Sequence, residues 1–148
     1  MLLRILGIFI GIFSFAIMTE TPRKYVLIAG LVGAASGGVY LLSEQLGSGA
    51  VWASFFSAFA AAIIAHILAR LLKAPVTLFL IAGILPTVPG GGMYRIVANA
   101  LDHNQAQLTT SLLETLEIAG CIALAVFFVD TFFNLFAHKK ADQHKQNT

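Results

Sequence analysis

The sequence predicts an all-α, polytopic membrane protein of about five transmembrane helices, the fourth of them broken at a proline/glycine motif. Three observations carry this. The 148 residues are 58% hydrophobic and only 11% charged, where a soluble domain carries roughly 25% charged residues to clothe its surface. The apolar residues come in runs close to the ~20 that a helix needs to cross the hydrocarbon core. The charged residues collect mainly between those runs rather than alternating with them. A soluble enzyme, a nucleic-acid binder and a disordered tail are excluded together, and the net charge of +2 forms no basic patch that nucleic acid would read.

Residues 1–137 read as a single transmembrane domain with spans at about 2–18, 25–42, 50–72, 76–101 and 112–136, followed by a polar cytoplasmic tail at 138–148. The first span has the outline of a signal peptide, since Met1-Leu2-Leu3-Arg4 precedes an apolar run. Residues 15–19 (Phe-Ala-Ile-Met-Thr) offer a poor small-x-small cleavage site, so the segment is read as a helix. The second span is rich in glycine, and the third carries a long alanine stripe. Connections at 19–24, 43–49, 73–75 and 102–111 are short.

The basic residues test that count. Arg23 and Lys24 lie in the first connection, Arg70 and Lys73 flank the end of the third span, and Lys139, Lys140 and Lys145 lie in the tail, while the second and fourth connections have no Lys or Arg. Positive residues mark the cytoplasmic side. Five spans then put the N-terminus outside and the C-terminus inside, with Arg4 alone dissenting at an outer end.

Lipid gives helices no hydrophobic reason to associate, so small residues that admit close backbone approach mark packing faces. Gly7 and Gly11 form such a pair, as do Gly33 with Gly37 and Ala34 with Gly38. In the third span Ser54, Ala58 and Ala62 make one stripe, with Ala61, Ala65 and Ala69 beside it. Packing within one chain accounts for some of these faces. Contact with further chains, copies of this one included, is the alternative.

The fourth span holds Ile84-Leu85-Pro86-Thr87-Val88-Pro89-Gly90-Gly91-Gly92-Met93-Tyr94-Arg95. Two prolines remove backbone donors, and three glycines lower the cost of leaving helical geometry. A helix from Val76 is expected to break near Pro86 and to restart between Gly90 and Met93. That lies roughly 10 to 16 residues into the span, near the bilayer midplane at about 1.5 Å per residue. Irregular backbone at that depth is tolerated only when buried in protein or lining a watery cavity. The second half-helix then aims bare N–H groups at the membrane centre, an anion site reinforced by the helix dipole. Arg95, expected in its first turn, adds a two-pronged donor for a carboxylate, with Tyr94 and Asn99 nearby. Substrate-binding candidates are therefore Pro86, Pro89, Gly90, Gly91, Gly92, Tyr94, Arg95 and Asn99. The bland alternative is a packing kink with Arg95 snorkelling outward. No Gly-Lys-Ser/Thr follows the glycines, so they are not a nucleotide loop.

Glu114 and Glu117 share a face of the fifth span. Ser111-x-x-Glu114 fits a capping box, which gives Glu114 a local role. Glu117 is deeper, and an acid there suggests pairing with Arg95 or carrying a proton; both acids are proton-coupling candidates. His66 reads as a satisfied structural polar residue, and Asp130 as a partner for a basic group of the same half or an inward-facing acid. Cys121 is alone in an apolar segment and reads as a small buried hydrophobe. No spacing suggests a metal site, a cofactor or a Ser/His/Asp set.

The stretch 84–94 matches the Pro-x-x-Pro-Gly-x-x-x-Tyr pattern of a known family, and the chain resembles the small YjjB-type subunit of the split threonine/serine exporter (ThrE) family. Pro22-Arg23-Lys24, the glycine-rich second span, Trp52 at the start of the third and Lys73-Ala74-Pro75 support the match, which extends to Phe136. The resemblance implies a half-transporter in the bacterial plasma (inner) membrane whose partner is a larger ThrE-like (YjjP-type) membrane subunit. Its implied cargo is a small carboxylate such as threonine, serine or succinate, exported at the expense of the proton gradient. Family roles carry over only to Pro86, Pro89, Gly90 and Tyr94. The alternative is a structural membrane subunit that stabilises a partner carrying the substrate site; an enzyme is not expected, because no catalytic constellation is present.

Overall fold

The computed structural model describes the backbone of residues 1–146 and the side chains of residues 1–135. Six α-helices run in order: α1 (Leu2–Met18), α2 (Arg23–Gln45), α3 (Gly49–Leu72), α4 (Val76–Ile84), α5 (Gly90–Leu101) and α6 (Gln105–Gln146), with a 3-10 turn at Leu85–Thr87 between α4 and α5. The helices α2 and α3 and the segment Gln105–Leu135 are each long and apolar enough to cross a membrane. Val76–Thr87 and Gly90–Leu101 meet the same measure of length and apolarity as a pair, bent by 51° at the break between them. α1, with 17 residues, sits at the short limit of a spanning helix, ~17 residues. The all-helical, roughly five-span architecture expected from composition is present.

The turns follow from local chemistry. α3 ends at Lys73, which adopts a left-handed conformation with φ 50° and ψ 45°, and Pro75 two residues later prevents continuation. Pro22 and Pro75 stand at the N-caps of α2 and α4, where a missing N–H costs nothing. The basic residues Arg23, Lys24, Arg70 and Lys73 consequently gather at one end of the bundle, termed here the basic end; the α2–α3 and α5–α6 connections lie at the other.

α3 is the central helix, packed against α2, α4 and α6, while α1 packs along α2 and α5 along α6. Its buried residues are Ala53, Ser54, Ser57, Ala58, Ala61, Ala62, Ala65, His66 and Ala69. Side chains this short let three neighbours approach one helix, as the alanine stripe predicts. Tyr25 and Phe79 meet edge-to-face at 5.7 Å over Ala65 and Ala69, and the Tyr25 hydroxyl donates to the Leu72 carbonyl at 3.3 Å. In α2, a Cβ at Gly33 would lie 2.6 Å from Ile12 Cγ1 and one at Gly37 2.7 Å from Ile8 Cδ1, so α1 docks only because both positions lack a side chain.

Two expectations change. Gly7 and Gly11 meet nothing within 4 Å, because α1 turns Ile8 and Ile12 toward α2 and leaves its own glycines outward. The last helix begins at Gln105, not near residue 112: the Asn104 side chain accepts from the Gln107 amide at 3.3 Å and the Asn104 carbonyl from the Leu108 amide at 3.0 Å, an N-cap. The connection shortens to three residues, and Ser111 and Glu114 sit well inside the helix, so the Ser111–Glu114 capping box does not exist. The α6 backbone continues to Gln146; the side chains of the polar tail expected at 138–148 lie outside the described residues.

Candidate functional site

The break in the fourth span is built from three sources. Pro86 has no amide to extend α4, so the chain tightens into the 3-10 turn, and α5 starts afresh at Gly90 with Pro89 as its N-cap. The carbonyls that the break releases find other donors. The Ser36 hydroxyl reaches across from α2 to Gly83 O at 2.6 Å, and the Ser57 hydroxyl on α3 donates to Ser36 O at 2.7 Å. Thr87 turns its hydroxyl back to Ile84 O at 2.6 Å, and the Val88 amide donates to Leu85 O at 3.3 Å. Ser36, Ser57 and Thr87 are buried. This polar stitch locks the end of α4 into the bundle. Ser36 and Ser57 escaped the sequence reading, although a hydroxyl within a small-residue stripe of a membrane helix is itself a signal.

Beyond the break the surroundings change. Gly92 is the one buried residue of α5; a Cβ there would collide with Thr115 Oγ1, so α5 and α6 touch through a bare α-carbon. Seven residues on, Asn99 Nδ2 donates to Ser111 Oγ at 3.1 Å. Between them Arg95 Nη2 lies 3.6 Å from Glu114 Oε2, with both side chains more than half exposed. Glu114, not Glu117, thus pairs with Arg95; Glu117 is exposed one turn further along α6. Arg95 stands in the second turn of α5 rather than the first, because the helix starts at Gly90 and all three glycines belong to it.

The candidate residues fall into two groups. Gly92, Arg95 and Asn99 converge on Thr115, Glu114 and Ser111 along the α5–α6 seam. Gly90, Gly91 and Tyr94 are exposed, and Pro86 and Pro89 are half-buried in the break. The amide of Gly90 donates to Val88 O at 2.7 Å and that of Met93 to Pro89 O at 3.0 Å, while the amides of Gly91 and Gly92 have no partner among the described residues. Gly91 precedes Arg95 by four residues, so amide and guanidinium share a helix face. Such a face offers an anion N–H groups, a dipole and a cation. Toward the basic end, a cavity of about 460 Å³ opens between the end of α1 and the starts of α2 and α4, lined by Thr19, Glu20, Thr21, Pro22 and Pro75 among others and reaching Ala82.

A second polar cluster joins α3 to α6 nearer the basic end. His66 Nε2 lies 3.2 Å from Asp130 Oδ1, and Asn134 Nδ2 donates to Asp130 Oδ2 at 3.1 Å. The His66 ring stacks on Phe133 at 4.6 Å and 9°. Arg70 Nη2 donates to Phe133 O at 3.1 Å. Asp130 therefore has a partner in its own half of the bundle, and that partner is His66. Among the described residues no three His, Cys, Asp or Glu groups are disposed to hold a metal ion.

Residues 4–132 match the model of the family described as "Threonine/Serine exporter, ThrE". No solved structure matches the chain.

Proposed function

The chain belongs to the threonine/serine exporter (ThrE) family, and from that premise we propose that it is the small subunit of a two-component secondary exporter of small carboxylate metabolites. One observation carries the reading: the fourth apolar segment breaks and restarts on bare glycine amides, with Arg95 on the same face and only loosely paired with a carboxylate. The Arg95–Glu114 pair is long at 3.6 Å and more than half exposed on both sides, so it is held weakly. A substrate carboxylate can take Glu114's place on Arg95 while the amides of Gly91 and Gly92 bind its second oxygen. Pro86 and Pro89 hold the break open, Tyr94 flanks it, and Asn99 fixes α5 to α6 through Ser111.

That face cannot stand against lipid. Bare backbone and ionisable side chains at membrane depth need protein or water around them. The larger ThrE-like (YjjP-type) membrane subunit supplies the cover and completes the site. With the basic end on the cytoplasmic side of the bacterial plasma membrane, the cavity reaching Ala82 is the approach from the cytoplasm. Glu114, freed from Arg95, and Glu117 beside it then accept protons from outside, which couples export to the proton gradient.

The test is counterflow of serine, threonine and succinate in proteoliposomes holding this chain co-purified with the larger subunit. Exchange of at least one of the three is expected, together with its loss in Arg95→Gln. Wild-type exchange rates in an intact Arg95→Gln complex would instead assign the chain a purely structural role.

A further inference from the structure

Among the described residues, charged groups occupy α6 at two levels. Glu114 and Glu117 lie beside α5, and Asp130 lies 13 residues beyond Glu117, about 20 Å further along the helix axis at 1.5 Å per residue. The lower level differs in kind. His66 is buried, 6% exposed, and stands six residues before the end of α3, about 9 Å inside the bundle from the basic end. Its only acidic partner among the described residues is Asp130, whose side chain is 56% exposed. A lone carboxylate in a membrane span is costly. A proton on either member removes the pair's net charge, and histidine is the side chain whose charge ordinarily changes between about pH 5 and 8.

Among the described residues the neighbours leave that proton to this pair. From α3 itself Arg70 donates to Phe133 O and lies 4.8 Å from the Phe133 ring, the ring on which His66 stacks, and stays protonated throughout. α2 brings Tyr25 to the far side of α3, where its hydroxyl is committed to Leu72 O, and α4 contributes no titratable side chain. On α6, Asn134 donates to the other Asp130 oxygen, and Cys121 lies nine residues back.

We propose that His66 and Asp130 form a proton-binding site between α3 and α6 that exchanges protons with the basic-end side of the membrane during export. This rests on the proton-driven exporter reading above and adds to it the release point for protons taken up near Glu117. The proton moves between His66 Nε2 or Asp130 and water at the exposed carboxylate, and no other co-reactant is needed.

Two measurements on the two-subunit complex test it. Infrared difference spectra across a pH step should show a carboxyl or imidazole protonation change that disappears in both Asp130→Asn and His66→Gln; its absence in the wild type, or its survival in both variants, overturns the proposal whatever transport does. In liposomes loaded with a pH dye, both variants should lower the ratio of gradient-driven export to counterflow at least tenfold and flatten its pH profile, and Asp130→Glu should restore both. A parallel fall of export and counterflow with no change in pH profile, unrestored by Asp130→Glu, makes the pair a structural tether and overturns the proposal. Lack of any wild-type counterflow with the infrared change intact overturns the exporter reading and leaves the proton site standing.

Discussion

The two halves of the fourth span share one stretch of sequence and sit in opposite environments. α4 is clamped between α2 and α3, with Phe79, Ala82 and Gly83 buried and the released Gly83 carbonyl taken by Ser36. α5 leans 51° away, buries only Gly92, and exposes Met93, Tyr94, Val97 and Leu101. The difference lies in what each half can satisfy by itself. α4 brings apolar side chains and obtains its missing hydrogen bonds from neighbouring hydroxyls. α5 brings bare amides, a guanidinium and an amide side chain, and the chain meets only part of that demand through α6. An anchored half joined to an under-satisfied half is the arrangement expected of a span whose second part meets a ligand and another subunit.

The largest effect expected from perturbing this asymmetry is at Arg95. Charge-assisted hydrogen bonds contribute about 1.5–3 kcal/mol, so Arg95→Gln should lower the apparent affinity for the carboxylate substrate roughly 10- to 150-fold in a binding assay on the intact complex. A change below twofold would remove Arg95 from the site. Next in size is the seam. Gly92→Val inserts a side chain where Thr115 already sits and should cost ~1–3 kcal/mol as overpacking, read as a lower unfolding midpoint in detergent. Gly90→Val, which meets open space, should cost less than half as much. Equal losses would mean that helix propensity, not contact with α6, governs the start of α5.

A smaller and more selective effect is expected at Glu117. It forms no ion pair among the described residues, so Glu117→Gln should leave the folding of the complex within ~0.5 kcal/mol while flattening the dependence of export on external pH. An unchanged pH profile would limit proton coupling to the other acids of α6.

Much of this contrast was readable in the residues. α1 coincides with the apolar run at 2–18, the break falls at its prolines, and the α3 stripe is buried as its alanines require. What escaped was the rotation and true length of α6. Hydropathy finds the lipid-buried part of a helix, so Gln105, Gln107, Thr109 and Thr110 read as a connection although they form its first turns. The start of the helix sets its phase against α5, and without it Glu114 and Glu117, one turn apart, compete equally for Arg95. The His66–Asp130 pair is hidden for a different reason: 64 residues separate its members, and nothing local in either helix specifies the other.

The smallest effect isolates the anchor itself. Ser36→Ala removes the hydroxyl that serves Gly83 O and leaves the Ser57–Ser36 carbonyl bond intact. In water a buried carbonyl stripped of its donor costs ~1–3 kcal/mol. Hydrogen bonds between membrane helices average only ~0.6 kcal/mol, because the unfolded chain in lipid finds partners too. The two scales separate by experiment: a loss near 0.6 kcal/mol in reversible unfolding in bicelles would mark the Ser36 bond as an ordinary interhelical contact. A loss above ~2 kcal/mol would mean that the break in the fourth span depends on that single hydroxyl, since no other side chain among the described residues donates to Gly83 O. The lower value is expected, because Thr87 and Val88 cap the other carbonyls of the break independently, so that the anchored half stays anchored without it.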